Sequence, residues 1–136
     1  MVFGTFDVLH LGHLNFFKQA RKLGGELIVV VARDANVLKI KGRSPYFSEN
    51  ERVALLRGLH IVDKVVLGNS SDLFSAIKKF KPNVIALGYD QATMQKKFIV
   101  TKLKELGIEC KVVRLKAFKE KRHKSTRLKK FYKVFN

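Results

Sequence analysis

Four short apolar runs rich in β-branched residues, "LIVVVA", "DKVVLG", "NVIALG" and "IECKVV", recur along the chain with helical periodicity between them. A strand buried on both faces is written as a near-continuous apolar run, and such strands belong to parallel sheets. Parallel neighbours need a crossover, usually a helix, so strand and helix must alternate. The pattern therefore predicts an α/β fold: a Rossmann-like, doubly wound five-stranded parallel sheet with helices on both faces. Met1–Phe3 is the remaining strand, short but leading directly into Gly4. The length of 136 residues suits one domain, 1–136, with no internal repeat.

The connecting segments carry their own punctuation. Leu11, Leu14, Phe17, Ala20 and Leu23 follow helical spacing, and Gly24–Gly25 ends the run. "SENE" has capping-box spacing ahead of Val53, Leu55, Leu56 and Leu59. Ser71 or Asp72 opens a helix that Pro82 follows, and Gly107 closes "KKFIVTKLKELG". The last helix is expected from about Ser125, within a basic helical segment of about 118–136. "KIKGRSP" is expected to be a basic loop. Phe16 and Phe17 are assigned to the core and the helix surface, His60 and His123 to the surface. Cys110 is assigned to a buried strand as an inert thiol.

Charge narrows the partners. The chain has 28 Lys and Arg against 11 Asp and Glu, a net charge of +17, which attracts polyanions. The excess is uneven: from Arg114 to Lys133 the only acidic residue is Glu120. The longest apolar run, Leu27 to Ala32, is far short of the ~20 residues that cross a bilayer. The N-terminus also lacks a signal-peptide layout, so no membrane partner and a cytoplasmic location are expected. The short first strand leaves room for a longer native N-terminus.

In such a sheet, ligands bind beyond the carboxyl ends of the strands, where strand order reverses. The loops leaving those ends include "GTFDVLHLGH", "LGNSSD" and "LGYDQ". His10 and His13, three apart around Gly12, fall on one face of a starting helix. Free N–H groups and the dipole at that end favour an anion, and a glycine lets a phosphate approach. Two imidazole donors there suit charge developing on phosphorus. Zinc is the other use of two histidines, but no third ligand lies nearby.

"GTFDVLHLGH" resembles the GTFDxxHxGH signature of the cytidylyltransferase-like nucleotidyltransferases, and the resemblance runs over nearly the whole chain. "SENERVALLRGLHIVDKVVLG" is similar to the family's ExER-type helix and following strand, and "ALGYDQ" to its archaeal FAD synthetase branch. "HKSTR" resembles the family's serine/threonine phosphate-binding element, with Arg122 as the upstream arginine, although the usual spacing and glycine are absent.

The resemblance implies transfer of a nucleotidyl group from a nucleoside triphosphate to a phosphate acceptor, with release of pyrophosphate. FMN adenylyltransferase, making FAD from FMN and ATP, is the favoured activity. Glycerol-3-phosphate cytidylyltransferase, which would use CTP, is the alternative, and a sugar-phosphate or pantetheine-phosphate acceptor is also open. Carried over by residue, Gly4, Thr5, Phe6, Leu11, Gly12 and Asp90 contact the nucleotide. His10 and His13 bind the triphosphate and stabilise the transition state, and Ser125 and Thr126 hold phosphate oxygens. Lys41, with Lys39 and Arg43 as alternatives, neutralises phosphate charge. Asp7, Tyr89 and Arg122 are assigned to the acceptor and phosphates, and Asp7 has an equally weighted role in bonding loop N–H groups. Mg²⁺ or another divalent cation arrives with the triphosphate, with no metal ligand from the protein. A homodimer sharing a face after the third strand is the oligomer the family suggests. A non-enzymatic nucleic-acid-binding module, using the strip from Arg114 to Lys133, is the reading from another class.

Overall fold

The computed structural model describes residues 1–91, 94–118 and 128–130. Five strands, β1 (Val2–Gly4), β2 (Ile28–Val31), β3 (Lys64–Leu67), β4 (Val84–Leu87) and β5 (Lys111–Arg114), form one sheet. Every pairing is parallel and the order is β3-β2-β1-β4-β5. The chain winds outward from β1 in one direction and then, from β4, in the other. The reversal between β1 and β4 opens a crevice at their carboxyl ends.

Helices α1 (Leu11–Arg21), α2 (Asp34–Lys41), α3 (Glu49–Arg57), α4 (Phe74–Phe80) and α5 (Lys96–Glu105) connect the strands. Alternate residues of the central strands feed two cores. One gathers Phe3, Ile28, Val30, Ile85 and Leu87 beneath Ile77 of α4 and Ile99 and Leu103 of α5. The other gathers Val2, Val29, Val31 and Ala86 beneath Phe17 of α1 and Val53 and Leu56 of α3. Both faces of the sheet are covered, which is why its strands read as unbroken apolar runs. The doubly wound parallel sheet is therefore as expected, and Phe17 is fully buried while Phe16 is half-buried.

The expected basic loop "KIKGRSP" needs correction. Its first three residues complete α2, and Gly42 stops the helix in the left-handed region at φ 66°, donating its N–H to the Leu38 carbonyl. Only Val37 of α2 is buried, so the helix has almost no apolar stripe to betray it. Smaller shifts occur at element ends. Helix α1 stops at Arg21, before the Gly pair, and Leu73 rather than Ser71 or Asp72 precedes α4, although Asp72 Oδ1 still accepts from the Phe74 N–H at 2.8 Å. Cys110 is half-buried just ahead of β5 rather than inside it. The capping box of α3 forms as expected between Ser48 and Glu51. The expected start of the last helix lies outside the described residues; residues 128–130 are helical. Among the described residues no helix is long and apolar enough to cross a membrane.

Candidate active site

A cavity of about 680 Å³ opens at the carboxyl ends of the strands, over the β1–β4 reversal. Its floor is the segment from Gly4 to His13, between β1 and α1. Phe6 adopts φ 51°, a conformation that a side-chain-bearing residue holds only where surroundings enforce it. The enforcement is visible: the Phe6 ring is buried against Phe17 at 5.2 Å, edge-on to His13 at 5.7 Å, and directly over Gly4. A Cβ on Gly4 would stand 2.6 Å from the Phe6 ring, so only glycine lets the ring lie there. Phe6 thus reaches the cavity from the core, as a support for the backbone beside it.

His10 is the N-cap of α1. Its Nδ1 accepts the Gly12 N–H at 3.0 Å, the capping service that Ser or Asp usually supplies. Accepting at Nδ1 places the proton of the neutral ring on Nε2. The His13 N–H bonds the His10 carbonyl, and the two rings lie 3.9 Å apart between centroids, tilted by 30°. Burial, followed by the nearby His10 and Lys41, lowers the His13 pKa from 6.5 to about 3. His13 is therefore neutral at physiological pH. Its Nδ1 is buried and has no hydrogen-bond partner among the described residues.

Cationic groups reach the same space from α2 and from the C-terminal segment. Lys41 Nζ donates to Thr5 Oγ1 at 3.0 Å. Burial lowers the Lys41 pKa first, and the charges of Lys129 and Arg43 lower it further. Asp7 is buried, with its carboxylate accepting the N–H groups of Tyr46 at 2.7 Å and Phe47 at 2.8 Å and pairing with Lys129. Burial pushes the Asp7 pKa up, but the bonds from Lys129, Phe47 and Tyr46 outweigh it and hold the group below the usual carboxylate range. The loop-bonding role considered for Asp7 is thus what its oxygens do here.

Of the residues singled out in the sequence, Gly4, Thr5, Phe6, Asp7, His10, Gly12, His13, Lys39, Lys41, Arg43, Tyr89 and Asp90 all line this cavity. Leu11 sits at the start of α1, 57% exposed, and is not part of the lining. Arg122, Ser125, Thr126 and His123 lie outside the described residues. His60 is exposed, as expected.

Three contributors were not singled out in the sequence. Arg52, on α3, is fully buried. Its guanidinium donates to the carbonyls of Thr5 (2.5 Å), Ala32 (2.8 Å) and Phe47 (3.1 Å) and pairs with Asp34 at 2.7 Å. Its signal was the ExER-type pattern "ENER", of which Arg52 is the last residue, although that resemblance assigned it no role of its own. Gln91 braces the other wall: its Oε1 accepts the Gly88 N–H at 2.7 Å and its Nε2 donates to the Phe3 carbonyl at 2.6 Å. Lys129, within the basic strip, carried no signal to distinguish it from its neighbours. Among the described residues no cluster of three or more His, Cys, Asp or Glu side chains is placed to hold a metal ion.

Known proteins resemble this chain over most of its length. A family model described as cytidylyltransferase-like matches residues 1–131. A protein named FAD synthase from Thermoplasma volcanium is 40% identical over 130 residues, covering 96% of this chain and 90% of that one. An FAD synthase from Pyrococcus abyssi is 42% identical over 138 residues, covering 99% and 93%. Among solved structures, one described as a lipopolysaccharide core biosynthesis protein from Thermoplasma volcanium superposes with a TM-score of 0.82 at 42% identity, covering 87% of this chain and 95% of that one.

Proposed function

The chain belongs to the cytidylyltransferase-like family, and from that premise we propose that it is an FMN adenylyltransferase, joining FMN and ATP to give FAD and pyrophosphate. The observation that carries the reading is the paired His10 and His13 at the N-terminus of α1, set in a cavity at the β1–β4 reversal.

The chemistry follows from that placement. A phosphate oxygen of FMN attacks the α-phosphorus of ATP in line. A new P–O bond forms, the bond to the β-phosphate bridging oxygen breaks, and pyrophosphate leaves with that electron pair. The nucleophile is already an anion, so no side chain must remove a proton from it. What the protein supplies is position and positive potential. The positive dipole end of α1 and the Nε2–H of His10 are what the site offers the anion, and His13 stands beside them. Lys41 brings charge from the end of α2, held in place by Thr5. Because burial and neighbouring cations make the Lys41 ammonium costly, a triphosphate beside it relieves that cost. Lys39 and Arg43 extend the positive rim, Tyr89 and Asp90 form the wall assigned to the nucleoside and acceptor, and Ser125, Thr126 and Arg122 are proposed as further phosphate contacts. Mg²⁺ or another divalent cation would arrive with the triphosphate and shield its charge. Asp7 itself would not hold the cation, since its oxygens are committed to loop N–H groups and Lys129.

A second reading, transfer of a cytidylyl group to glycerol 3-phosphate or another sugar phosphate, draws on the description of the structural relative as a lipopolysaccharide core biosynthesis protein. One panel separates the two: pyrophosphate release with Mg²⁺ from ATP, CTP, GTP or UTP, each with FMN and with glycerol 3-phosphate. Release from ATP with FMN, with FAD as product, is expected. Release from CTP with glycerol 3-phosphate alone would replace the first reading by the second.

A further inference from the structure

Asp7 poses an electrostatic problem that the mechanism leaves unsolved. The site is built for a polyanion, yet its floor contains a carboxylate that is 4% exposed and held in its ionised form. The carboxylate has a structural duty. Tyr46 and Phe47, in the turn between α2 and α3, give it their N–H groups, and both would be orphaned without it. Lys129 answers from the far end of the chain, 122 residues away in sequence. Its ammonium pairs with Asp7 Oδ2, its side chain is only 22% exposed, and it lines the cavity with His10, His13 and Lys41.

We propose that Lys129 is a positioning residue of the triphosphate site, cancelling the charge of Asp7 so that the carboxylate can anchor the Tyr46–Phe47 turn without repelling the nucleotide. The inference rests on the reading of the cavity as a triphosphate site. It gives one member of the basic C-terminal strip a task that a merely solvated charge would not have. Lys129 is committed to Asp7 and acts on the nucleotide through it, whereas Lys41 is the cation offered to phosphate directly.

The test is a charge-compensation cycle read by ATP titration calorimetry, with steady-state FAD synthesis alongside. Lys129→Met leaves Asp7 uncancelled and should weaken ATP binding by about tenfold or more, the scale of one unscreened charge acting on a polyanion at a partly buried site. That loss should appear in KM for ATP more than in kcat. Lys129→Arg should keep wild-type affinity, and Asp7→Asn with Lys129→Met, whose local charge again sums to zero, should regain most of it. Lys129→Glu, which leaves Asp7 in place and so keeps the turn anchored, should bind ATP more weakly than Lys129→Met. Lys129→Met binding ATP as the wild type does would overturn the inference while leaving FAD synthesis standing. A folded double variant as weak as Lys129→Met would overturn it too, by making Lys129 a direct phosphate ligand, as would Lys129→Glu no weaker than Lys129→Met. Wild-type protein that binds neither ATP nor CTP would remove the triphosphate reading and this inference together.

Discussion

His10 and His13 show how one turn of backbone can set the chemistry of two side chains. Capping α1 fixes the His10 ring and its tautomer, and the turn that follows stacks His13 against it at 3.9 Å. Burial makes the charged form of His13 costly, and the neighbouring His10 and Lys41 add to that cost. Replacing either by alanine should lower kcat for pyrophosphate release by about 10²-fold or more, as loss of a transition-state donor does. A double variant with wild-type turnover would refute that role. The His13 environment also has a consequence for stability. Its pKa falls from 6.5 to about 3 on folding, so between those values the unfolded chain takes up a proton that the folded one refuses. Folding stability should therefore decline as pH drops from about 6.5 toward 3. His13→Gln, which cannot titrate, should show a shallower decline when melting temperature is followed across that range; parallel curves would mean that His13 is protonated in the native state.

At the scale of elements, the N-termini of α2 and α3 are tied into one unit. Glu49 accepts from the Asp34 N–H at 2.9 Å, Asp34 accepts from the Glu49 N–H at 3.0 Å, and Arg33 spans from Glu49 to the Gly68 carbonyl. Arg52 runs through the middle of this unit and out to Thr5, so the floor of the cavity hangs from α3. This fully buried guanidinium spreads its planar fork over four acceptors. Arg52→Met should destabilise the fold by roughly 3–5 kcal/mol, because it leaves the carbonyls of Thr5, Ala32 and Phe47 without the guanidinium that serves all three. Urea unfolding measures this, and Arg52→Lys should recover little, since one ammonium cannot span the same acceptors. A loss below about 1 kcal/mol in either variant would mean that water replaces the guanidinium freely.

Across the whole molecule the +17 charge dominates. Like charges spread over a chain this small repel, and salt screens them with a Debye length of about 10 Å at 0.1 M. Raising salt from about 0.02 to 0.3 M should therefore raise the melting temperature, the reverse of what a fold held by surface ion pairs would show. The described ion pairs Lys64–Glu26, Lys78–Asp72 and Lys102–Glu105 are all substantially exposed and oppose this trend only weakly. A melting temperature that falls over that range would show that the pairs outweigh the repulsion.

Strand identity, the parallel sheet, the α3 capping box and the cavity-lining segment from Gly4 to His13 were all written locally, in apolar runs, cap residues and a ten-residue motif. Local codes survive reading one residue at a time because their physics is local: a periodicity, a side-chain cap, a glycine. Other features were not written that way. Helix α2 buries only Val37, so its pattern resembled a basic loop until Gly42 was seen to end it. Arg52 and Gln91 stand inside "ENER" and "ALGYDQ" with no role that those motifs assign, and Lys129 looks like any residue of the basic strip; they matter because the fold brings Thr5, Phe3 and Asp7 within their reach. The sequence determined by itself which chemistry the cavity floor would carry. Tertiary structure alone decided which charges meet there, because an ion pair between Asp7 and Lys129 depends on distance in space and leaves no mark in either residue's neighbours along the chain.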